Sequence, residues 1–151
     1  MSIHLDICQF HEIMSDMQAM IKDHFAETGY DNDSMKLDPD YETYFAIEEA
    51  ACLICTAARK DDGELIGYSI DILQPSLHHK GYVQAVNDVL YVKPEYRGSI
   101  LGEAIITFVG EYLAEQSVYL HQLTMTKKKN FGATAKTCGY VEYETNWIKT
   151  L

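Results

Sequence analysis

Val86-Asn87-Asp88-Val89-Leu90-Tyr91-Val92-Lys93-Pro94-Glu95-Tyr96-Arg97-Gly98-Ser99-Ile100-Leu101-Gly102 is the stretch that decides how the chain reads. Its first seven residues are rich in β-branched and aromatic side chains, the composition of a buried strand. Pro94 ends that strand, because it cannot donate to a ladder and fixes its own φ. From Leu101 the apolar positions fall at 101, 104, 105, 108, 109, 112 and 113, the spacing of an amphipathic helix. A strand, a glycine-bearing turn and a helix, in that order, aim backbone N–H groups and the positive helix end at one point. That point suits a phosphate.

Upstream, Ile3, Leu5 and Ile7 alternate with polar neighbours as a short strand. Phe10, Ile13, Met14, Met17, Met20, Ile21 and Phe25 then share one helical stripe, read as core, with Gly29 as its cap. An acidic loop spans 31–40, and Pro39 opens a second helix through Tyr41, Tyr44, Phe45 and Ile47. Strands at 53–59 and 65–74 flank Asp62-Gly63, a hairpin signal. A loop with His78 and His79 leads into the central strand at 82–92. Downstream come a fifth strand at 118–125, a short helix at 131–137 ending at Gly139, and two strands within 140–151. The order β-α-α-β-β-β-α-β-α-β-β predicts an α/β (α+β mixed sheet) fold in one domain over residues 1–151.

The formal net charge of −11, with Arg59 and Arg97 the two arginines, disfavours nucleic acid and anionic membrane surfaces as partners. It favours a cationic partner, such as an amine or a lysine-rich protein, through long-range attraction. The apolar run at 50–58 is far too short to span a bilayer, and no signal peptide is visible. Cys8, Cys52, Cys55 and Cys138 sit inside apolar segments as small buried hydrophobes, which fits a reducing cytoplasm. Cys52 and Cys55 lack the second pair that a zinc site requires, so no metal is expected.

The run from Val92 to Gly98, followed by Gly102 and Ala104, resembles the acyl-CoA-binding motif of the GCN5-related N-acetyltransferases, the GNAT superfamily: Arg or Gln, two residues, Gly, one residue, Gly or Ala. Arg97 and Gly102 fall on it, and Ile100 stands where the first glycine is usual. A β-branched residue is costly at positive φ, so the loop must turn differently there or lean on Gly98. The order of elements is similar to that of the superfamily over nearly the whole chain. Histidines before the fourth strand, Asn87-Asp88, the Lys-Asn-Phe-Gly run at 129–132, Gly139-Tyr140 and the final Lys149-Thr150-Leu151 resemble bacteriophage-type members. The resemblance implies a GNAT-like acyl-CoA N-acyltransferase fold and an N-acetyltransferase with acetyl-CoA as donor. It implies an amine acceptor, a small molecule or a protein lysine, attacking directly in a ternary complex. The main-chain N–H groups of Tyr91 and Val92 are expected to meet the thioester. The loop of Arg97, Gly98, Ser99, Ile100, Leu101 and Gly102 would take the CoA phosphates, and Asn130 the pantetheine arm.

An alkylamine has a pKa near ~10.4, so transfer at neutral pH needs a base. Asp88, mid-strand among apolar neighbours, is the first candidate and is expected to hold its proton more tightly than usual. Its other reading is a partner in a structural network. His121, on the adjacent strand, is the second candidate, with a structural role as its other reading. Where many relatives place the tyrosine that protonates the leaving thiolate, this chain has Ala135, which leaves Tyr91 or Tyr140 to approach. Ile100 and Ala135 motivate a second expectation, a catalytically degenerate GNAT-like protein that binds CoA or a basic partner through its acidic surface. Edge strands at the C-terminus would suit a homodimer.

Overall fold

The computed structural model describes residues 2–29 and 35–151, so the acidic positions 31–34 lie outside it. Five strands form one sheet in the order β1 (Ile3–Cys8), β2 (Leu53–Lys60), β3 (Leu65–Pro75), β4 (Val83–Val92), β5 (Leu120–Gln122). The first four pair antiparallel, and β4 with β5 is parallel. A parallel neighbour requires a long crossover, and helix α3 (Leu101–Glu115) supplies it.

Helix α1 (Phe10–Thr28) begins in a capping box in which Glu12 accepts the Gln9 N–H at 2.6 Å. Helix α2 (Tyr41–Glu49) is capped by Asp40, whose carboxylate accepts from the Thr43 N–H and hydroxyl. Pro39 therefore precedes the helix by two residues instead of opening it. Along β2 the side chains alternate between two cores. Leu53, Cys55 and Ala57 join Phe10, Ile13, Met17, Tyr68 and Tyr91 under α1 and α2. Ile54 and Ala58 join Ile66, Ala85, Ile105, Val109 and Leu113 under α3. Both faces of the central strands are covered, which is why β2 and β3 read as nearly continuous apolar runs.

One irregularity in the ladder matters for function. Ile70 faces Val89 and Asp71 faces Asn87, so β4 carries one residue, Asp88, with no counterpart on β3. That is a β-bulge.

The fold class expected from sequence holds. Its last two strands do not. Residues 140–151 follow helix α4 (Gly132–Thr137) without forming a strand, and β5 has three residues where eight were expected. Val141, Tyr143 and Trp147 have strand periodicity, but a strand is stable only in a ladder, and Trp147 is 90% exposed. The edge strands offered for a homodimer are therefore not formed.

Candidate active site

The sheet opens where β4 leaves β5. Their ladder joins Gln84 to Leu120, Ala85 to His121 and Val86 to Gln122, and among the described residues it goes no further. A cavity of about 1210 Å³ fills the gap. Its walls come from α1 (His24, Glu27), α2 (Tyr44), the length of β4 from Val86 to Val92, the loop after it, and the segment with Lys129 and Phe131. That volume exceeds the usual ~300–1,000 Å³ of small-ligand pockets and suits an elongated ligand.

At one end lies the turn into α3. Gly98 takes the left-handed conformation (φ 73°), while Ile100 has ordinary helical dihedrals (φ −69°, ψ −7°) and is 74% exposed. The loop leans on Gly98, so the missing glycine at position 100 causes no strain. Gly98, Ser99 and Gly102 line the cavity, whereas Ile100 lies outside it and Leu101 is buried in the α3 core. The Ser99 hydroxyl donates to the Tyr96 carbonyl at 2.5 Å and accepts the Leu101 N–H at 3.3 Å, fastening the first turn of α3. Gly98→Ala is expected to destabilise the fold by about 1–2 kcal/mol through left-handed strain, roughly 2–8 °C in Tm by calorimetry.

Arg97 lines the cavity beside Gly98 and is held in place there. Its Nε donates to the Val92 carbonyl at 2.7 Å, and its two terminal nitrogens grip the Glu27 carboxylate of α1 at 2.7 and 2.9 Å. The guanidinium lies 5.3 Å over the Tyr91 ring. Those hydrogen bonds from Arg97 hold the Glu27 carboxyl below its ordinary range.

Asp88 lies at the other end. Sequence places it among apolar neighbours; the bulge instead delivers it exposed into the cavity, where Tyr44 donates to its Oδ2 at 2.5 Å. Burial first, and the Asp88 carboxylate second, push the Tyr44 phenol well above its ordinary pKa, so it stays a donor. His24 also faces the cavity, its ring 4.9 Å from that of Tyr91, and burial lowers its pKa.

His121 is elsewhere. Its Nε2 lies 2.9 Å from Asp71 Oδ1 and its Nδ1 2.6 Å from the Tyr140 hydroxyl. With Tyr140 it borders a separate cavity of about 300 Å³. Because a carboxylate only accepts, the network places the His121 proton on Nε2 and leaves Nδ1 to accept from Tyr140. Burial raises the Tyr140 phenol to about 12. Of the two tyrosines considered for the thiolate, Tyr91 lines the main cavity and Tyr140 does not. Asn130 also stands off the cavity wall, its Oδ1 accepting the Gly132 N–H at 2.8 Å ahead of α4, while Lys129 and Phe131 beside it reach the wall.

The structure thus gathers Asp88, Tyr91, Val92, Arg97, Gly98, Ser99 and Gly102 around one opening and adds Tyr44, His24 and Glu27, which sequence reasoning missed. A signal for two of them was present. His24 and Glu27 continue the spacing of the α1 stripe beyond Met17 and Met20, where polar residues on an otherwise core-facing stripe mark a cavity wall. Among the described residues no three His, Cys, Asp or Glu side chains converge as a metal site.

No curated protein matches the chain. Its structure is similar to those of an acetyltransferase from Trypanosoma brucei (17% identity over 99% of this chain and 100% of that one, TM-score 0.72) and glucosamine-6-phosphate N-acetyltransferase from Arabidopsis thaliana (9%, 99% and 99%, 0.75). It is similar too to a predicted acetyltransferase with acetyl-CoA from Clostridium acetobutylicum (15%, 99% and 96%, 0.74). At these identities the likeness speaks for the fold. The sequence model of the Acetyltransferase (GNAT) family matches residues 17–140, which includes the turn at Gly98, the bulge at Asp88 and α4. The chain belongs to the GNAT family of acetyltransferases.

Proposed function

We propose that the protein is an N-acetyltransferase that passes an acetyl group from acetyl-CoA to an amine, both bound at once. The observation that carries this reading is the opening between β4 and β5, with the start of α3 at one end and the Asp88 carboxylate at the other. The residues present fit the donor: the opening is long, Gly98 and Gly102 put no side chain on its wall, and Lys129 adds a positive charge. When bound, acetyl-CoA supplies an activated acyl carbon. The chain's own residues bind, orient and move protons.

In this reading the open side of β4 donates the Val92 main-chain N–H to the thioester oxygen, a contribution worth ~10²–10³ in rate; the Tyr91 N–H, expected from sequence to join it, faces Tyr68 in the ladder with β3. Asp88 takes the proton of the incoming amine, and Tyr44 fixes the carboxylate from the far side. Ala135 is buried and supplies no hydroxyl, which leaves Tyr91, on the cavity wall, as the tyrosine that could meet the thiolate. A thiol pKa near ~8.5 lets the thiolate depart without a dedicated acid. The acceptor is an amine, a small molecule or a protein lysine, drawn by the net charge of −11. Four free cysteines suit a reducing cytoplasm, and the Lys-Asn-Phe-Gly run supports a phage-type relationship. The degenerate alternative loses its first motive, since Ile100 does not fill the cavity.

Acetyl-CoA at a hundredfold over Kd is expected to add ~2.7 kcal/mol, roughly 5–10 °C in Tm, and a panel of amines should then release free CoA thiol. No shift and no thiol release from any amine would overturn the proposal.

A further inference from the structure

The sheet beneath the bulge is polar where a sheet core is ordinarily apolar. Asp71 on β3 is fully buried, and Ser69 and Asn87 are nearly so. Ser69 Oγ donates to Asp71 Oδ2 at 2.7 Å, and Asn87 Nδ2 lies 3.0 Å from Asp71 Oδ1. The same Asn87 nitrogen is 2.9 Å from Ser69 Oγ, 3.2 Å from the Ile70 carbonyl and 3.0 Å from the Val89 carbonyl. Ile70 and Val89 are the last regular pair before the bulge, and Asn87 is the first residue after it. One side-chain amide therefore binds both strands on both sides of Asp88. From the far side, His121 holds the shared Asp71 oxygen and is itself held by Tyr140.

Burying an amide and a carboxylate is unfavourable unless every group is paired, so a site that served only as sheet would be cheaper filled with apolar side chains. A bulge, moreover, can migrate. A slip of one residue would turn Asp88 to the opposite face of the sheet.

We propose that Asn87 and Asp71 are positioning residues for Asp88: their buried clamp fixes the bulge at one position and so directs the Asp88 carboxylate onto the Tyr44 hydroxyl and into the opening. His121 serves this clamp and is not the base. The catalytic meaning of the clamp rests on the reading of Asp88 as base; the geometry does not.

The test separates the two. Tyr44→Phe is measured for its effect on Tm in the wild-type chain, in Asn87→Ala and in Ser69→Ala, the last being a milder cut that removes one arm with little change in volume. In the wild-type chain the lost hydroxyl is expected to lower Tm by roughly 2–4 °C. In the clamp variants that drop should shrink to less than about half, because Asp88 no longer sits where Tyr44 reaches it. Ile54→Val, a core change on β2, should lower Tm and leave the Tyr44→Phe effect whole. A Tyr44→Phe effect of full size in the clamp variants that fold would overturn the proposal. Turnover supplies the second readout: kcat in the clamp variants should fall by up to ~10²-fold, as misplacement of a reacting group does, with KM for acetyl-CoA held within about threefold. If the Tm coupling is lost while kcat is unchanged, the clamp stands and Asp88 is not the base.

Discussion

Asp88→Asn is expected to lower kcat by about 10²–10⁴-fold while leaving the KM for acetyl-CoA nearly unchanged. The substitution preserves size and can still accept the Tyr44 hydrogen bond seen at 2.5 Å, so the fold and the cavity wall should survive. What it removes is the capacity to take a proton. A base works only when deprotonated, so the wild-type pH profile should carry an acid limb that the Asp88→Asn profile lacks. Steady-state kinetics across pH for both proteins check this. A variant profile with the wild-type limb intact would remove Asp88 from the proposed mechanism.

Arg97→Ala should have the second-largest effect, and on two quantities. The side chain makes three hydrogen bonds, one to the carbonyl of Val92 and two to Glu27 across 70 residues of chain. Charge-assisted bonds of this kind contribute about 1.5–3 kcal/mol, so Tm should fall by roughly 3–12 °C. Acetyl-CoA binding should weaken as well, because the turn that presents Gly98 loses its attachment to β4. A pH dependence follows from the depressed Glu27 carboxyl. A carboxyl with a folded pKa below its unfolded value of 4.5 stabilises fully above that value, and the stabilisation disappears as pH falls through the folded pKa. The stability gap between wild type and Arg97→Ala should therefore narrow below about pH 4.5. Denaturant melts at neutral and acid pH measure it. Glu27→Gln should reproduce most of the loss; if it were silent, the bond to the Val92 carbonyl would carry the stability effect of Arg97.

Periodicity made most of the architecture legible. The α1 stripe, the 53–74 hairpin and the strand-turn-helix around Gly98 each depend on contacts between near neighbours in sequence, which spacing reports directly. The departures have a common cause: they depend on partners that spacing does not name. Alternation at Val141, Tyr143 and Trp147 indicates a strand, but whether a ladder edge is there to receive it is decided by β5, which is three residues long. Asp88 reads as a buried mid-strand carboxylate until the register with β3 shows that it is the unpaired residue of a bulge. His121 has the chemistry of a base, yet Asp71, 50 residues away, takes it into a buried network. Arg97 falls on a binding motif in sequence and lines the cavity, but its ion pair with Glu27 of α1 lay beyond what spacing could report.

The three-pair limit of the β4–β5 ladder has a consequence for solubility. A strand edge with unpaired backbone groups invites another chain to add itself, the route to aggregates. In this protein that edge is internal. It faces a recess walled by α1, α2 and the segment carrying Lys129 and Phe131, which stand between it and a neighbouring sheet. The same parting of strands that makes room for a substrate thus keeps the exposed hydrogen-bonding groups away from other molecules in solution.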